Sequence, residues 1–135
     1  MKLLLDTHIW LWSLLDPDRL SRSVYRILSD PASEVWLSPI STWEAMMLCS
    51  KGRLTLQEEP EAWVVKALTA GPIIQAPLTH EIAIASAGVR LPHRDPADHL
   101  IVATAKVLGL TLVTADANLI SARQVPILAN RRGVI

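Results

Sequence analysis

The stretch that decides the fold is HRDPADHLIVATAKVLGLTLVTAD, which covers residues 93–116. Asp95 followed by proline is typical of a helix start. The N–H groups of the first helical turn have no partners within the helix, so an aspartate side chain can accept a hydrogen bond from one of them, and proline has no N–H group that would need a partner. Counting by threes and fours from Asp98 predicts one buried helix face, formed by Ile101, Val102, Ala105 and Leu108. Gly109 then ends the helix, and the run LTLVT that follows is predicted to be a short buried strand.

Strands and helices alternate through the rest of the chain. Apolar segments of strand length predict further strands in KLLLD, EVWLS, PIIQAPL and VPILA. Apolar spacing and capping residues predict helices in THIWLWSLL, SRSVYRILSD, Pro39–Ser50, residues 60–69, HEIAIASAG and Asn118–Ala122. This alternation predicts a three-layer α/β/α sandwich around a central parallel sheet.

Length and composition limit the possible classes of protein. The 135 residues are predicted to form one domain spanning 1–135. No apolar run approaches the roughly 18 residues of a membrane span, and the apolar start of the chain is too short for a signal peptide. The single cysteine, Cys49, favours a reducing, cytoplasmic environment. Basic and acidic residues both number 13, so any contact with nucleic acid must come from local patches.

Four acidic residues are predicted to meet at one edge of the sheet. Asp6 ends the first strand, Asp116 follows the strand LTLVT, and Asp98 lies in the first turn of the helix before it. Glu44 lies on an otherwise apolar helix stripe, where a charge is costly unless something compensates it. Because ligands bind at the carboxyl ends of parallel strands, we expect these side chains to share a site there.

Each acid also has an ordinary structural interpretation. Asp6 and Asp116 could be turn residues. Asp98 could cap its helix, and Glu44 could extend to solvent. For Asp95 the ordinary interpretation is the prediction, namely the N-cap of its helix. A single acidic site explains the positions of all four acids other than Asp95, whereas the ordinary interpretations require four separate coincidences.

A cluster of four carboxylates favours a bound divalent cation. Like charges in one cleft raise the pKa of some of the acids, and a cation removes that cost. Oxygen ligands select Mg²⁺, with Mn²⁺ as a plausible substitute, over zinc. One cysteine and four histidines without helical metal spacing give zinc little support. The chemistry that suits such a site is phosphodiester hydrolysis by metal-activated water.

Three segments together resemble a known family: LLLDTHIWLW, SPISTWEAMMLCSKGRLTL and HRDPADHLIVATAKVLGLTLVTAD. In order and spacing, over nearly the whole chain, they are similar to the PIN domain of VapC-type toxins from toxin–antitoxin pairs. The resemblance implies a PIN-like parallel α/β fold and a magnesium-dependent endoribonuclease that acts on RNA. It also implies a cognate antitoxin that holds the enzyme inactive, and a homodimer.

The resemblance assigns a role to each of the four acids. Asp6 is the acid after strand one, Glu44 the acid of the W-E pair, and Asp98 and Asp116 are those of D-P-x-D and T-x-D. Asp6 and Asp98 would be the primary magnesium ligands, and Glu44 and Asp116 would complete the site.

Candidate substrate contacts are two hydroxyls that flank the edge and a basic stripe of three arginines at helical spacing: Thr7, Thr114, Arg19, Arg22 and Arg26. The hydroxyls could instead bond to the backbone, and the arginines could form a solvated face. Two positions depart from the family pattern. Leu48 stands where many relatives have lysine, and His99 stands where arginine is usual. His93 and His99 flank the acidic turn, where exposure to solvent is expected and a phosphate contact is the alternative.

Five tryptophans occur in a chain without phenylalanine. Trp10 and Trp12 are two residues apart, so one helix cannot bury both on the same face. One is predicted to pack inside, and the other to contact an antitoxin helix or a second protomer. Core packing is predicted for the remaining three, Trp36, Trp43 and Trp63.

Other functional classes are less well supported by the same residues. A phosphatase of the haloacid dehalogenase kind also begins with a strand ending in aspartate, but it needs a second acid where this chain has His8. An inert PIN-fold binding module would be expected to lack one or more of the four acids. A histidine-based ribonuclease using the RNA 2′-hydroxyl would survive chelation and leave cyclic phosphate ends.

Overall fold

The computed structural model describes residues 1–131, and every statement of structure below refers to that range. Its strands are β1 (Lys2–Leu5), β2 (Glu34–Leu37), β3 (Ile73–Gln75), β4 (Thr111–Thr114) and β5 (Ile127–Ala129). Its helices are α1 (Thr7–Leu15), α2 (Arg22–Leu28), α3 (Pro39–Ser50), α4 (Pro60–Thr69), α5 (His80–Ser86), α6 (Pro96–Leu108) and α7 (Ala117–Ala122). Each predicted strand and helix is present, with ends that differ from the predicted ones by a few residues.

The strands form one parallel sheet in the order β3-β2-β1-β4-β5. The chain moves outward from β1 to β3, then returns to the other side of β1 to add β4 and β5. The order therefore reverses between β1 and β4. In open parallel sheets such a switch point opens a crevice at the carboxyl ends of the strands, where ligands bind.

Each face of the sheet carries its own hydrophobic core. Leu3 and Leu5 of β1 pack with residues of α1 to α4, whereas Leu4 packs with residues of α5 to α7. Successive side chains of a strand point to opposite faces, so these alternating contacts place helices on both sides of the sheet. The predicted three-layer α/β/α sandwich is confirmed.

Helix α6 forms as its sequence predicts. The Asp95 side chain accepts a hydrogen bond from the Ala97 N–H at 3.0 Å and is the N-cap. Gly109 ends the helix in the left-handed conformation, at φ 67°, which glycine adopts without strain. Ile101 and Val102 of the apolar face are fully buried, at 0% and 2% exposure. The helix therefore carries Asp98, in its first turn, to the carboxyl edge of the sheet.

Two sequence predictions about individual residues are wrong. Arg19 does not share a helix with Arg22 and Arg26, because it ends a separate 3₁₀ turn, Pro17–Arg19, and Ser21 caps α2 afterwards. Trp43 is not part of the core, since 55% of it is exposed on α3. The prediction that one of Trp10 and Trp12 packs inside the protein is confirmed, because Trp10 is buried, at 1% exposure. Trp12 is half-buried.

None of the helices found in residues 1–131 has the length and apolar character needed to cross a bilayer.

Candidate active site

A cleft of about 340 Å³ opens at the carboxyl ends of β1 and β4, and all four predicted acids line it. Asp6 follows β1 directly and caps α1, and Asp116 lies two residues beyond β4 and caps α7. Asp98 comes from the first turn of α6, and Glu44 from the second turn of α3. Each of the four predicted acids is thus contributed by a different part of the fold.

Asp6 lies at the floor of the cleft and is only 7% exposed. Its carboxylate accepts two hydrogen bonds, one from the Thr7 N–H at 2.9 Å and one from the Thr114 hydroxyl at 2.6 Å. Thr114 Oγ1 in turn accepts a hydrogen bond from the Asp116 N–H at 3.0 Å. One buried threonine therefore ties the acid after β1 to the segment that carries the acid after β4.

Glu44 is held in a similar way. The Thr7 hydroxyl donates to Glu44 Oε1 at 2.5 Å and lies 3.0 Å from Ser41 Oγ. Thr7 is 2% exposed and Thr114 is 0% exposed. Both threonines thus form hydrogen bonds with acids of the cleft wall. Thr114 Oγ1 also accepts a hydrogen bond from the Asp116 N–H. The sequence analysis gave bonding to the backbone as the alternative for both hydroxyls, and within residues 1–131 this is the only such bond that either one forms.

Burial and mutual repulsion raise the pKa of three of the acids. Burial raises the pKa of Asp6, and the hydrogen bond from Thr114 offsets part of that rise. Burial also raises the pKa of Glu44, and the hydrogen bond from Thr7 offsets part of that rise. The pKa of Asp98 is raised to about 7, first by burial and then by the negative charges of Asp6 and the other acids of the cleft.

The chemistry of the donor atoms fits a hard divalent cation. The cleft wall presents carboxylate oxygens whose charges repel one another, and a cation would remove that repulsion. His93, Asp98 and Asp116 each offer one ligand atom, and these atoms lie within 4.8 Å of one another. The residues present therefore fit Mg²⁺ or Mn²⁺, with a histidine nitrogen close to the oxygens.

The structure adds side chains to the cleft that the sequence prediction did not place there. Asp95, expected to be only a cap, also lines the cleft, together with His8 and Trp12. His93 Nε2 lies 3.3 Å from Asp98 Oδ2, so His93 is not simply exposed to solvent. For two of them the sequence held a signal, because Asp95 lies three residues before Asp98 and His8 lies two residues after Asp6.

Of the three predicted arginine contacts, only Arg19 is linked to the cleft. Its guanidinium lies over the ring of Trp12, 4.6 Å from the ring centre, and Trp12 lines the cleft. The imidazole of His8 packs against the same indole, with 5.9 Å between ring centres. Arg22 and Arg26 are on α2 and do not line the cleft.

Comparison with known proteins agrees with this architecture. A sequence model of the PIN domain matches residues 3–124, a range that contains every acid of the cleft. The chain belongs to the PIN-domain family. This PIN domain is 33% identical over 123 residues to the ribonuclease VapC22 of Mycobacterium tuberculosis, covering 89% of this chain and 91% of that protein. The resemblance predicted from the three sequence segments is confirmed.

Solved structures share the fold of this PIN domain. One is the crystal structure of VapBC2 from Rickettsia felis bound to a DNA fragment from their promoter, with a TM-score of 0.73 and 14% identity. The match covers 97% of this chain and 100% of that one. Another is VapBC-5 from Mycobacterium tuberculosis, a member of the VapBC family of toxin–antitoxin systems, with a TM-score of 0.62 and 14% identity. Here the match covers 95% and 98% of the two chains. At these identities the likeness concerns the fold alone.

Proposed function

We propose that this PIN domain is the toxin of a type II toxin–antitoxin pair and a magnesium-dependent endoribonuclease. It hydrolyses RNA phosphodiester bonds at the cleft lined by Asp6, Glu44, Asp98 and Asp116. The observation that carries the proposal is the convergence of these four acids at the switch point of the sheet. The likeness to VapC22, which is named a ribonuclease, supports it.

In this proposal Asp6 and Asp98 hold the ion, and Glu44 and Asp116 complete the site. When bound, Mg²⁺, or Mn²⁺ in its place, would lower the pKa of water and stabilise the charge that develops on the phosphate. Thr114 keeps the Asp6 carboxylate turned toward the cleft through its 2.6 Å hydrogen bond. Preorganised side chains of this kind lower the cost of reaching the transition state.

Glu44 is suited to accept a proton from the attacking water. Its pKa is raised mainly by burial, which brings a carboxylate closer to the range in which it works as a general base. The hydrogen bond from Thr7 occupies Oε1, so Oε2 is the oxygen proposed to take the proton. Glu44→Gln would retain the hydrogen bond from Thr7 but lose the base.

Partners and substrate contacts follow from the same proposal. Because a protein that shares this fold belongs to the VapBC family of toxin–antitoxin systems, we propose that this chain also has a cognate antitoxin. The homodimer is proposed from the family resemblance alone. Arg19, which lies over Trp12 at the cleft, is proposed to contact the RNA backbone. Arg22 and Arg26 would contribute only through their charge on α2.

The ends of the cleavage products test the proposal. With a pool of random-sequence RNA oligonucleotides, Mg²⁺ and water containing ¹⁸O, hydrolysis should leave one phosphomonoester end and one hydroxyl end. The phosphate should carry one oxygen from the solvent, because water is the nucleophile. Cyclic phosphate ends without solvent oxygen would contradict the proposal, since they arise when the RNA 2′-hydroxyl attacks.

A further inference from the structure

The loop before α6 places a histidine against one of the acids of the cleft. His93 Nε2 lies 3.3 Å from Asp98 Oδ2, and the side chain of Asp98 is 13% exposed. On the other side of the ring, the backbone N–H of Asp95 donates to His93 Nδ1 at 3.2 Å. Nδ1 of His93 therefore has a hydrogen-bond partner, and Nε2 lies close to a carboxylate oxygen.

These two contacts assign the position of the ring proton. A backbone N–H can only donate, so Nδ1 must offer its lone pair to Asp95. The proton of the neutral ring then lies on Nε2, the nitrogen that is 3.3 Å from Asp98 Oδ2. At this distance a carboxylate oxygen is placed to accept a hydrogen bond from Nε2–H.

A second histidine holds the loop that makes this arrangement possible. His99 Nδ1 lies 2.8 Å from the Asp95 carbonyl oxygen, which can only accept, so this nitrogen is the donor. The rings of His93 and His99 pack edge to face, with 6.4 Å between their centres. Backbone and ring contacts thus fix His93 from two directions.

We propose that His93 is a positioning residue that donates its Nε2–H to Asp98 Oδ2 and orients this acid in the cleft. The proposal builds on the proposed function, because it gives Asp98 the role of a metal ligand. His93 is not itself a ligand, although its nitrogen lies within 4.8 Å of ligand atoms of Asp98 and Asp116. Coordination through Nε2 would require the ring proton on Nδ1, where the N–H of Asp95 already points.

The tautomer of His93 is the first test, and it uses the metal-free protein. Long-range ¹H–¹⁵N spectra of the neutral imidazoles, assigned by comparison with His93→Gln, should show the proton of His93 on Nε2. His99, whose Nδ1 faces a carbonyl, should show the opposite tautomer and serves as an internal reference. A proton on His93 Nδ1 would overturn the proposal.

Metal affinity is the second test. Mn²⁺ binding, measured by titration with electron paramagnetic resonance, should weaken about 10- to 100-fold in His93→Ala, the usual cost of losing a hydrogen bond to a ligand. His93→Gln should regain part of the affinity, because its amide N–H can replace Nε2–H. The matched control is His80→Ala, which changes an exposed histidine on α5 and should bind Mn²⁺ as the wild type does.

The outcomes separate this proposal from the proposed function. Unchanged affinity in His93→Ala, equal loss in the alanine and glutamine variants, or an imidazole nitrogen coupled to Mn²⁺ in the wild type would each overturn the positioning role. Failure of the wild type to bind Mn²⁺ would instead contradict the proposed function. In that case the tautomer of the metal-free protein still decides whether His93 donates to Asp98.

Discussion

RNA cleavage is expected to fall at least about 10³-fold when Asp6 is replaced by asparagine. The amide oxygen of the new side chain can still accept from the Thr7 N–H, and its NH₂ group can face the Thr114 hydroxyl, so the change removes charge and largely keeps the local geometry. Charge stabilisation by a catalytic metal contributes several kcal/mol, and each 1.36 kcal/mol is a factor of ten in rate. Initial rates on random-sequence RNA at saturating Mg²⁺ would measure the loss.

The matched control for this substitution is Asp18→Asn. Asp18 is an exposed aspartate in the 3₁₀ turn and does not line the cleft, so its variant should cleave RNA at the wild-type rate. A chelator should bring the wild type down to the level of Asp6→Asn, and added Mg²⁺ or Mn²⁺ should restore only the wild type. Cleavage by Asp6→Asn at more than about a tenth of the wild-type rate would contradict the assignment of this acid.

Replacement of Asp98 by asparagine is expected to stabilise the metal-free protein by about 2 kcal/mol at pH 8. The pKa of Asp98 is about 7 in the folded chain, above its ordinary value near 4. That difference corresponds to at most about 4 kcal/mol, and the partial access of solvent to this carboxyl lowers the expected effect. Urea unfolding in the presence of a chelator would measure it.

The sign of this effect sets its pH dependence. Between about pH 4 and pH 7 the folded protein binds a proton at Asp98 that the unfolded chain has released, so wild-type stability falls as the pH rises through this window. Above pH 7 Asp98 is ionised in both the folded and the unfolded chain, so this group no longer changes the stability of the wild type as the pH rises. Asparagine does not titrate, and the two proteins should therefore converge toward pH 4. If Asp98→Asn were less stable than the wild type at pH 8, this would show that the cleft does not destabilise the ionised form of Asp98.

Local patterns in the sequence were enough to predict the scaffold and the four acids. Helix α6 has a cap, an apolar face and a glycine stop within one segment, so its structure needs little information from elsewhere. Asp6 and Asp116 could be placed because parallel strands end at one edge of the sheet. Glu44 could be placed because a charge on an apolar stripe requires compensation.

Contacts between distant segments could not be predicted in the same way. The hydrogen bond from Thr114 to Asp6 joins residues 108 positions apart, and that from Thr7 to Glu44 joins residues 37 apart. Their geometry depends on how strands and helices pack, which no local pattern contains. Trp43 was predicted to be buried because tryptophan usually is, but its position on α3 faces solvent.

Loop conformation limited the prediction at the rim of the cleft. Arg19 belongs to a 3₁₀ turn that ends before α2, so counting by threes and fours across Ser21 joined two separate segments. His93 was expected to be exposed to solvent, and the loop before α6 has no periodic pattern that would have indicated otherwise. Its contact with Asp98 depends on the backbone N–H of Asp95, and only the folded loop fixes that position.

The location of a bound cation is the measurement that bears most directly on this account. Crystals soaked in Mn²⁺ should give an anomalous difference peak inside the cleft, within bonding distance of carboxylate oxygens of Asp6 and Asp98. The peak should be absent from crystals of Asp6→Asn treated in the same way. Well-ordered wild-type crystals with no peak in the cleft, or with Mn²⁺ bound only elsewhere on the protein, would contradict the claim that these acids form one metal site.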